Sequence, residues 1–316
     1  MFTFAGKLHI NNFSCIMANV IKIKKGLDIN LKGKASDVLL NGGKSESYAI
    51  VPDYYNGILP KVVAKVGEKV KAGSVLMIDK NRPEIKFVSP VSGEVTAVNR
   101  GEKRKVISIV VKPDAQIEYE EFGKKNVASL QGAEVKEVLL NAGMWPFIKQ
   151  RPYDIVAAPL DTPRDIFVSA FYSAPLAPNF DFIVKGQEAD FQTGLNALAK
   201  LTNGKVYVGV RSGSVVSGMK GVEIVEVEGP HPAANVGVQI NHIKPVNKGE
   251  VVWTVNPADV IVIGRLFNKG VADFSRMVAI TGSETTERGY VKTISGCTIK
   301  SLVNGKVLGQ EHIRSE

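Results

Sequence analysis

The sequence predicts a multi-domain α/β protein, and three stretches predict it. Residues 57–113 alternate apolar and polar positions in short runs broken by turn residues, residues 114–270 alternate strand and helix patterns, and residues 271–316 carry a strand pair and a short helix. At 316 residues the chain exceeds one ordinary core, so several units are expected. The divisions read from the pattern are an extension at 1–16, an N-terminal segment at 17–56, a β module at 57–113, an open α/β domain at 114–270 and a third unit at 271–316.

Residues 1–16 read as an upstream extension, because the fluent pattern begins after Met17 with Val20-Ile-Lys-Ile-Lys-Lys-Gly-Leu-Asp28. Cys15 then carries no chemistry. Asn41-Gly-Gly-Lys-Ser45 is similar to the end of a phosphate-binding loop, but the first glycine of that pattern falls on Val38, so a plain turn is expected. In the β module, Ala64-Lys-Val-Gly-Glu-Lys-Val70 is echoed by Ala97-Val-Asn-Arg-Gly-Glu-Lys103, which reads as two half-units with matching turns. The hairpin Val75–Lys80 and Ile85–Val88 resembles the biotinyl/lipoyl carrier domain, whose hairpin-tip lysine is modified. Lys80 stands at that position, yet Asn81-Arg82-Pro83-Glu84 lengthens the tip and the methionine beside the lysine is missing, so a solvated lysine is the expected state.

Val135, Val138, Leu139 and Ala142 recur at helical spacing, and Gly143 follows where a left-handed cap belongs. Asp154–Ala158, Asp165–Ala170, Lys205–Val210, Val222–Val227 and Asp259–Gly264 read as strands, and Phe191–Thr202 as a helix, which predicts a Rossmann-like open α/β domain. Pro232 in Gly229-Pro-His-Pro-Ala-Ala234 is expected in the first turn of a helix running toward His242. His231 stands at that anion-friendly pole as a candidate ligand or proton donor, while His242 between Ile240 and Ile243 is expected to be structural. Met277–Gly282 and Tyr290–Ile294 predict two strands, and Cys297–Val303 a short helix.

The formal net charge of +9 comes without a nucleic-acid-binding motif and with only 7% aromatic residues, so no nucleic-acid partner is expected. Two cysteines, Cys15 and Cys297, exclude a four-thiolate cluster within the chain. Apolar runs such as Val260–Ile263 are far shorter than the roughly 18 to 20 residues of a membrane helix.

Ile23-Lys-Lys-Gly-Leu-Asp28, Phe87-Val-Ser-Pro-Val-Ser-Gly93, Asn99-Arg-Gly-Glu-Lys-Arg104, Gly229-Pro-His-Pro-Ala233 and Trp253–Phe267 occur in an order that resembles one family. It is the NqrA family, the A subunits of the sodium-translocating NADH:quinone reductase (Na+-NQR), related to the flavin-binding subunit of complex I and to the RnfC protein of the Rnf complex. The resemblance implies a biotinyl/lipoyl-like module, a Rossmann-like domain and a partial SLBB (β-grasp) unit, the family continuing well beyond this C-terminus. It also implies a peripheral subunit on the cytoplasmic face of the bacterial inner membrane, partnered by a membrane-embedded subunit, in a complex that oxidises NADH, reduces quinone and exports sodium.

The relatives carry a glycine-rich loop where this chain has Gly143-Met-Trp-Pro-Phe147, whose bulk obstructs a flavin phosphate. No catalytic or metal site is therefore expected here, with NADH, flavins and iron–sulfur centres assigned to partner subunits. Quinone is the one ligand expected to touch the chain, Trp145 and Phe147 forming an aromatic wall and His231 donating a hydrogen bond. The competing reading of Trp145-Pro146-Phe147 is a core plug ending the preceding helix. An Rnf- or complex I-type NAD-binding flavoprotein and a non-redox scaffold are the alternative functions.

Overall fold

The computed structural model describes residues 20–308, so the expected extension and Cys15 lie outside the described residues. Four sheets organise them: a seven-stranded mixed sheet, a four-stranded and a three-stranded sheet facing each other in the β module, and a three-stranded sheet near the C-terminus.

The β module pairs Tyr48–Ile50, Val106–Pro113, Gly93–Arg100 and Lys69–Val70 in one sheet, and Pro60–Val62, Val75–Asp79 and Lys86–Val88 in the other. Leu76, Met77, Ile85, Phe87, Val91, Val95, Ile109 and Val111 fill the space between them, each at most 2% exposed. The repeated glycines do sit in turns: the Gly67 N–H donates to the Val95 carbonyl, and the Gly101 N–H to that of Lys105. Lys80 is exposed at its tip, its backbone N–H held by the Leu59 carbonyl, beside a buried Asp79 paired with Arg82 at 2.7 Å.

The large sheet runs Val20–Lys22, Glu223–Glu228, Val206–Val210, Ile166–Ser169, Val252–Val255, Ile148–Arg151, Ile155–Val156. The first five strands are parallel and the last two antiparallel. All four residues of Ile166–Ser169 are buried, as expected for a strand covered on both faces. Ile166 and Val168 join the core under the helices Glu188–Ala199 and Pro257–Lys269. Phe167 instead packs with Ile240 of the helix Val236–Ile243 and stacks on Tyr207.

Two local expectations are corrected. Asp259–Gly264 is not a strand but the middle of the helix Pro257–Lys269, and the strand lies earlier, at Val252–Val255. The start signals are in the sequence: the Asn256 side chain accepts from the Ala258 N–H, Pro257 presets the first turn, and Gly270 ends the helix with φ +77°. The misreading arose because Val260 through Phe267 are all buried, and an apolar run of that kind has no periodicity to separate helix from strand. Gly264 permits the closeness, since a Cβ there would sit 1.7 Å from the Asp190 carbonyl oxygen of the neighbouring helix. The second correction concerns Pro232. The helix starts at Val236 with Asn235 as its cap, and Pro232 lies in the preceding turn, which closes through Ala233 N–H to Pro230 and Asn235 N–H to Pro232.

The helix predicted around Val135 spans Gly132–Asn141, its end fixed by Gly143 at φ +66°, where a Cβ would meet Val88 of the β module at 2.6 Å. Ser275–Ile280 and Gly289–Ile294 form the expected antiparallel pair, followed by the helix Ile299–Val303. Residues 20–50 thread all three units, because Val20–Lys22 edges the large sheet, Leu39–Leu40 extends the C-terminal one and Tyr48–Ile50 joins the β module. Asn41–Ser45 is a loop whose Ser45 hydroxyl donates to the Ser47 carbonyl and receives the Thr298 N–H.

Candidate functional site at the strand-order reversal

From Ile166–Ser169 the chain moves outward to Val206–Val210 and Glu223–Glu228, then returns to the opposite side of its starting strand at Val252–Val255. In open α/β sheets the crevice beyond the carboxyl ends of the strands at such a reversal is where ligands bind. A cleft of about 910 Å³ lies there, bordered by Ser169, Phe171 and Tyr172 after one strand and by Thr254, Val255 and Asn256 after the other. Tyr54 and Tyr55 reach it from the β module, and Arg276 from the C-terminal unit.

One wall comes from a single extended segment. Phe147, the last residue of the 3₁₀ turn Trp145–Phe147, faces the cleft. Side chains alternate along the strand Ile148–Arg151 that follows, so Lys149 and Arg151 face it too, while Ile148 is buried and Gln150 turns away to hydrogen-bond the Ala158 N–H and Asp161. Arg276 pairs with Asp259 and lies 5.5 Å over the Phe147 ring. Lys149 Nζ lies 5.4 Å over the Tyr55 ring. Arg151 Nε approaches Asp154 at 3.4 Å, but is buried without a hydrogen-bond partner.

These surroundings set the charge states. Burial, with the Asp259 carboxylate nearby, pushes the Tyr55 and Tyr172 hydroxyls up to about 12. The Tyr172 hydroxyl donates to Asn256 Oδ1 at 3.2 Å. Burial pulls the Lys149 ammonium below its ordinary range, against the opposing pull of Asp154 and Asp259. For Arg276 the Asp259 carboxylate outweighs desolvation and holds the guanidinium charged. The cleft is thus a set of neutral aromatic surfaces with two ion-paired arginines and one lysine.

Of the residues predicted for a ring site, only Phe147 lines this cleft. Trp145 is fully buried, donating its indole N–H to the Ala157 carbonyl at 2.8 Å and meeting Trp253 edge-on at 5.4 Å. His231 is half-buried in the turn before the Val236–Ile243 helix. Its backbone N–H donates to Asp28 Oδ1 at 2.8 Å, and Nδ1 lies 3.1 Å from the Ser173 hydroxyl. His242 Nδ1 is 2.8 Å from the Val238 carbonyl of its own helix. Lys149, Arg151, Tyr55, Tyr172 and Arg276 escaped the sequence reading. The Phe-x-Lys-x-Arg alternation following Trp145-Pro146 was the available signal for the first two.

Among the described residues, no group of three or more His, Cys, Asp or Glu is placed to hold a metal ion, and no helix is long and apolar enough to cross a membrane. The architecture is that of a multi-domain α/β protein combining a barrel-sandwich module, a mixed-sheet domain with a cleft at its carboxyl edge, and a C-terminal β unit. Three domain models of one family match in this order: the NqrA N-terminal barrel-sandwich hybrid domain over residues 21–114, the NqrA second alpha/beta domain over 130–272, and the NQRA C-terminal domain over 277–315.

Curated relatives agree with that assignment. The A subunit of the Na(+)-translocating NADH-quinone reductase from Hahella chejuensis is 37% identical over 293 residues, covering 91% of this chain and 65% of the relative. Its namesake from Neisseria meningitidis serogroup A is 35% identical over 297 residues, with 93% and 66% covered. That of Photorhabdus laumondii is 35% identical over 292 residues, with 91% and 65% covered. The chain belongs to the NqrA family, and it spans a little under two thirds of the length of these relatives.

Proposed function

We propose that this chain is a peripheral subunit of a sodium-translocating NADH:quinone reductase, the complex named by its relatives, in which NADH oxidation and quinone reduction drive sodium export. In this reading the chain belongs to an oxidoreductase translocase without holding a complete catalytic centre, while NADH, flavins and iron–sulfur chemistry lie in partner subunits. It docks at the cytoplasmic face of the inner membrane, on a membrane-embedded subunit. The observation that carries the reading is the succession of three domains of one family along the chain, each in its place. Four parallel strands, the central ones covered on both faces, support describing residues 114–270 as Rossmann-like, with 57–113 as the biotinyl/lipoyl-like module and 271–316 as a partial SLBB unit.

The chain's own contribution is a contact with the quinone ring in the cleft at the strand-order reversal. Phe147 offers the aromatic face, Trp145 backs it from the interior, and His231 steadies the Ser173 segment that follows Tyr172. The test is recovery of the tagged protein from detergent-solubilised membranes, with a visible spectrum and a sodium-stimulated NADH–quinone assay on the eluate. A flavin-containing complex with that activity is expected. A lone, colourless protein, under conditions that keep membrane complexes intact, removes the assignment and favours the scaffold alternative.

A further inference from the structure

We infer that Lys149 receives the oxygen of a planar ring bound in the cleft, and that the cleft thereby selects rings whose oxygen carries negative charge. The inference rests on the quinone reading above and sharpens it to one side chain and one ligand property.

The first ground is placement. Phe147 ends the 3₁₀ turn Trp145–Phe147 and Lys149 stands on the strand that follows, and both line the cleft, so the ammonium reaches the space beside the ring that Phe147 flanks. Tyr55 lies beneath it from the β module, with Nζ 5.4 Å from the ring centroid, and Tyr172 borders the same space from the other strand end.

The second ground is charge accounting within the cleft. Arg276 is committed to Asp259 and to the Ser295 hydroxyl. Arg151 is held beside Asp154. Among the described residues, Lys149 Nζ has neither a hydrogen bond nor an ion pair, and the cleft is left with one positive charge over its two carboxylates. An ammonium that lines an open cleft and is bound to no protein acceptor keeps its three donors free for a ligand oxygen. Arg151 Nε is buried 3.4 Å from Asp154, so Lys149 is the cation of this wall that a ligand can reach.

The third ground is selectivity. A neutral carbonyl accepts a hydrogen bond from the ammonium through its dipole alone, whereas an ionised ring oxygen adds direct charge–charge attraction to the same bond. The walls do not oppose that anion, because Tyr55 and Tyr172 keep their protons across the neutral range and each carboxylate already faces an arginine.

The experiment titrates the full chain, by calorimetry at neutral pH, with 2-methyl-1,4-naphthoquinone and with 2-hydroxy-1,4-naphthoquinone, whose hydroxyl is a vinylogous acid and is ionised. The hydroxylated ring is expected to bind at least about tenfold more tightly. Lys149→Met is expected to abolish that preference and Lys149→Arg to retain most of it, with thermal melts reporting the folding of each. Should the methionine variant melt early, Lys149→Gln, which keeps a donor and removes the charge, takes its place. A preference that persists in a folded uncharged variant overturns the inference. Equal binding of the two rings by the unaltered chain overturns it as well, and leaves the quinone reading standing. Binding of neither ring removes both.

Discussion

Two polar clusters of the large sheet, one around Asp165 and one around Lys149, hold their groups in opposite ways. At the amino ends, Asp165 is 1% exposed and fully engaged: the Arg164 guanidinium and the Lys244 ammonium each meet it at 2.8 Å, and the Lys205 N–H at 3.0 Å. Arg164 in turn binds Glu250 and the carbonyls of Lys244 and Pro245. On the antiparallel strand Ile148–Arg151, Lys149 lines an open cleft and its ammonium meets no acceptor among the described residues, and Arg151 Nε is buried without a hydrogen-bond partner. The first arrangement fixes three strand starts and their connecting loops. The second leaves interaction capacity that the fold does not use. Polar groups that satisfy one another mark architecture, and those left unsatisfied beside a cavity mark binding.

The largest effect that separates the two clusters is expected at Asp165. Asp165→Ala leaves two cations without their buried partner and is expected to cost about 3 to 5 kcal/mol, read by urea unfolding. The pH sign follows from the local balance. Burial pushes the Asp165 carboxyl up, but Lys244, the Lys205 amide and Arg164 outweigh it and hold it below the ordinary carboxylate range. Its stabilisation is therefore complete above the unfolded-state pKa of about 4 and is lost as pH falls through the lower folded value. Asp165→Asn is expected to flatten that acid limb. An unchanged acid limb would show that other carboxylates carry it.

The pair Trp145 and Phe147 breaks the comparison within one segment. Trp145→Ala opens a hole in a packed core and is expected to destabilise by about 3 to 5 kcal/mol. Phe147→Ala, half-buried at the cleft, is expected to cost roughly 1 kcal/mol, yet to weaken naphthoquinone binding several-fold. If the phenylalanine variant binds as the unaltered chain does, the quinone ring does not lie against it.

A smaller effect belongs to the cleft tyrosines. Ultraviolet titration should find Tyr55 and Tyr172 ionising near pH 12, burial being the main cause and the Asp259 carboxylate the next. Their contribution to stability is present below about pH 10 and lost as pH climbs through about 12, because the unfolded chain gives up the proton first. Asp259→Asn should bring both ionisations partway down, and a titration that does not move would place Asp259 too far away to matter.

The sequence made the architecture readable where each element announces itself locally. The Gly-Glu-Lys repeat gave the β module, and the alternation in Lys205–Val210 and Val222–Val227 gave two parallel strands. It misled at Pro257–Lys269, where burial on all sides erases the helical period and only the Asn256-Pro257 start and the Gly270 stop remain. It was silent on Val20–Lys22, Leu39–Leu40 and Ile148–Arg151, strands of two to four residues whose pairing is decided by distant partners. The cleft divides in the same way. Phe147, Lys149 and Arg151 follow one another at alternate positions of one short segment and could have been found together, whereas Tyr55, Tyr172 and Arg276 meet only through the strand order and the packing of three units.

The smallest expected effect is at Lys80, on the rim farthest from either polar network in its chemistry. A carrier lysine must stand free on a tight hairpin where a modifying enzyme can grasp it. Here Asp79 is buried under the Arg82 guanidinium at 2.7 Å and accepts from the Leu59 and Asn81 N–H groups, while Arg82 also donates to the Gly57 and Val156 carbonyls. The tip is thereby tied to the α/β domain and cannot swing, although the Lys80 ammonium itself is solvated. Intact mass of the chain isolated from its own cells should show no lipoyl or biotinyl increment, and Lys80→Arg should leave sodium-stimulated quinone reduction by the proposed complex unchanged. An increment located at Lys80 would mean that the Arg82 tether opens in the cell, and Arg82→Ala would then be expected to raise the modified fraction.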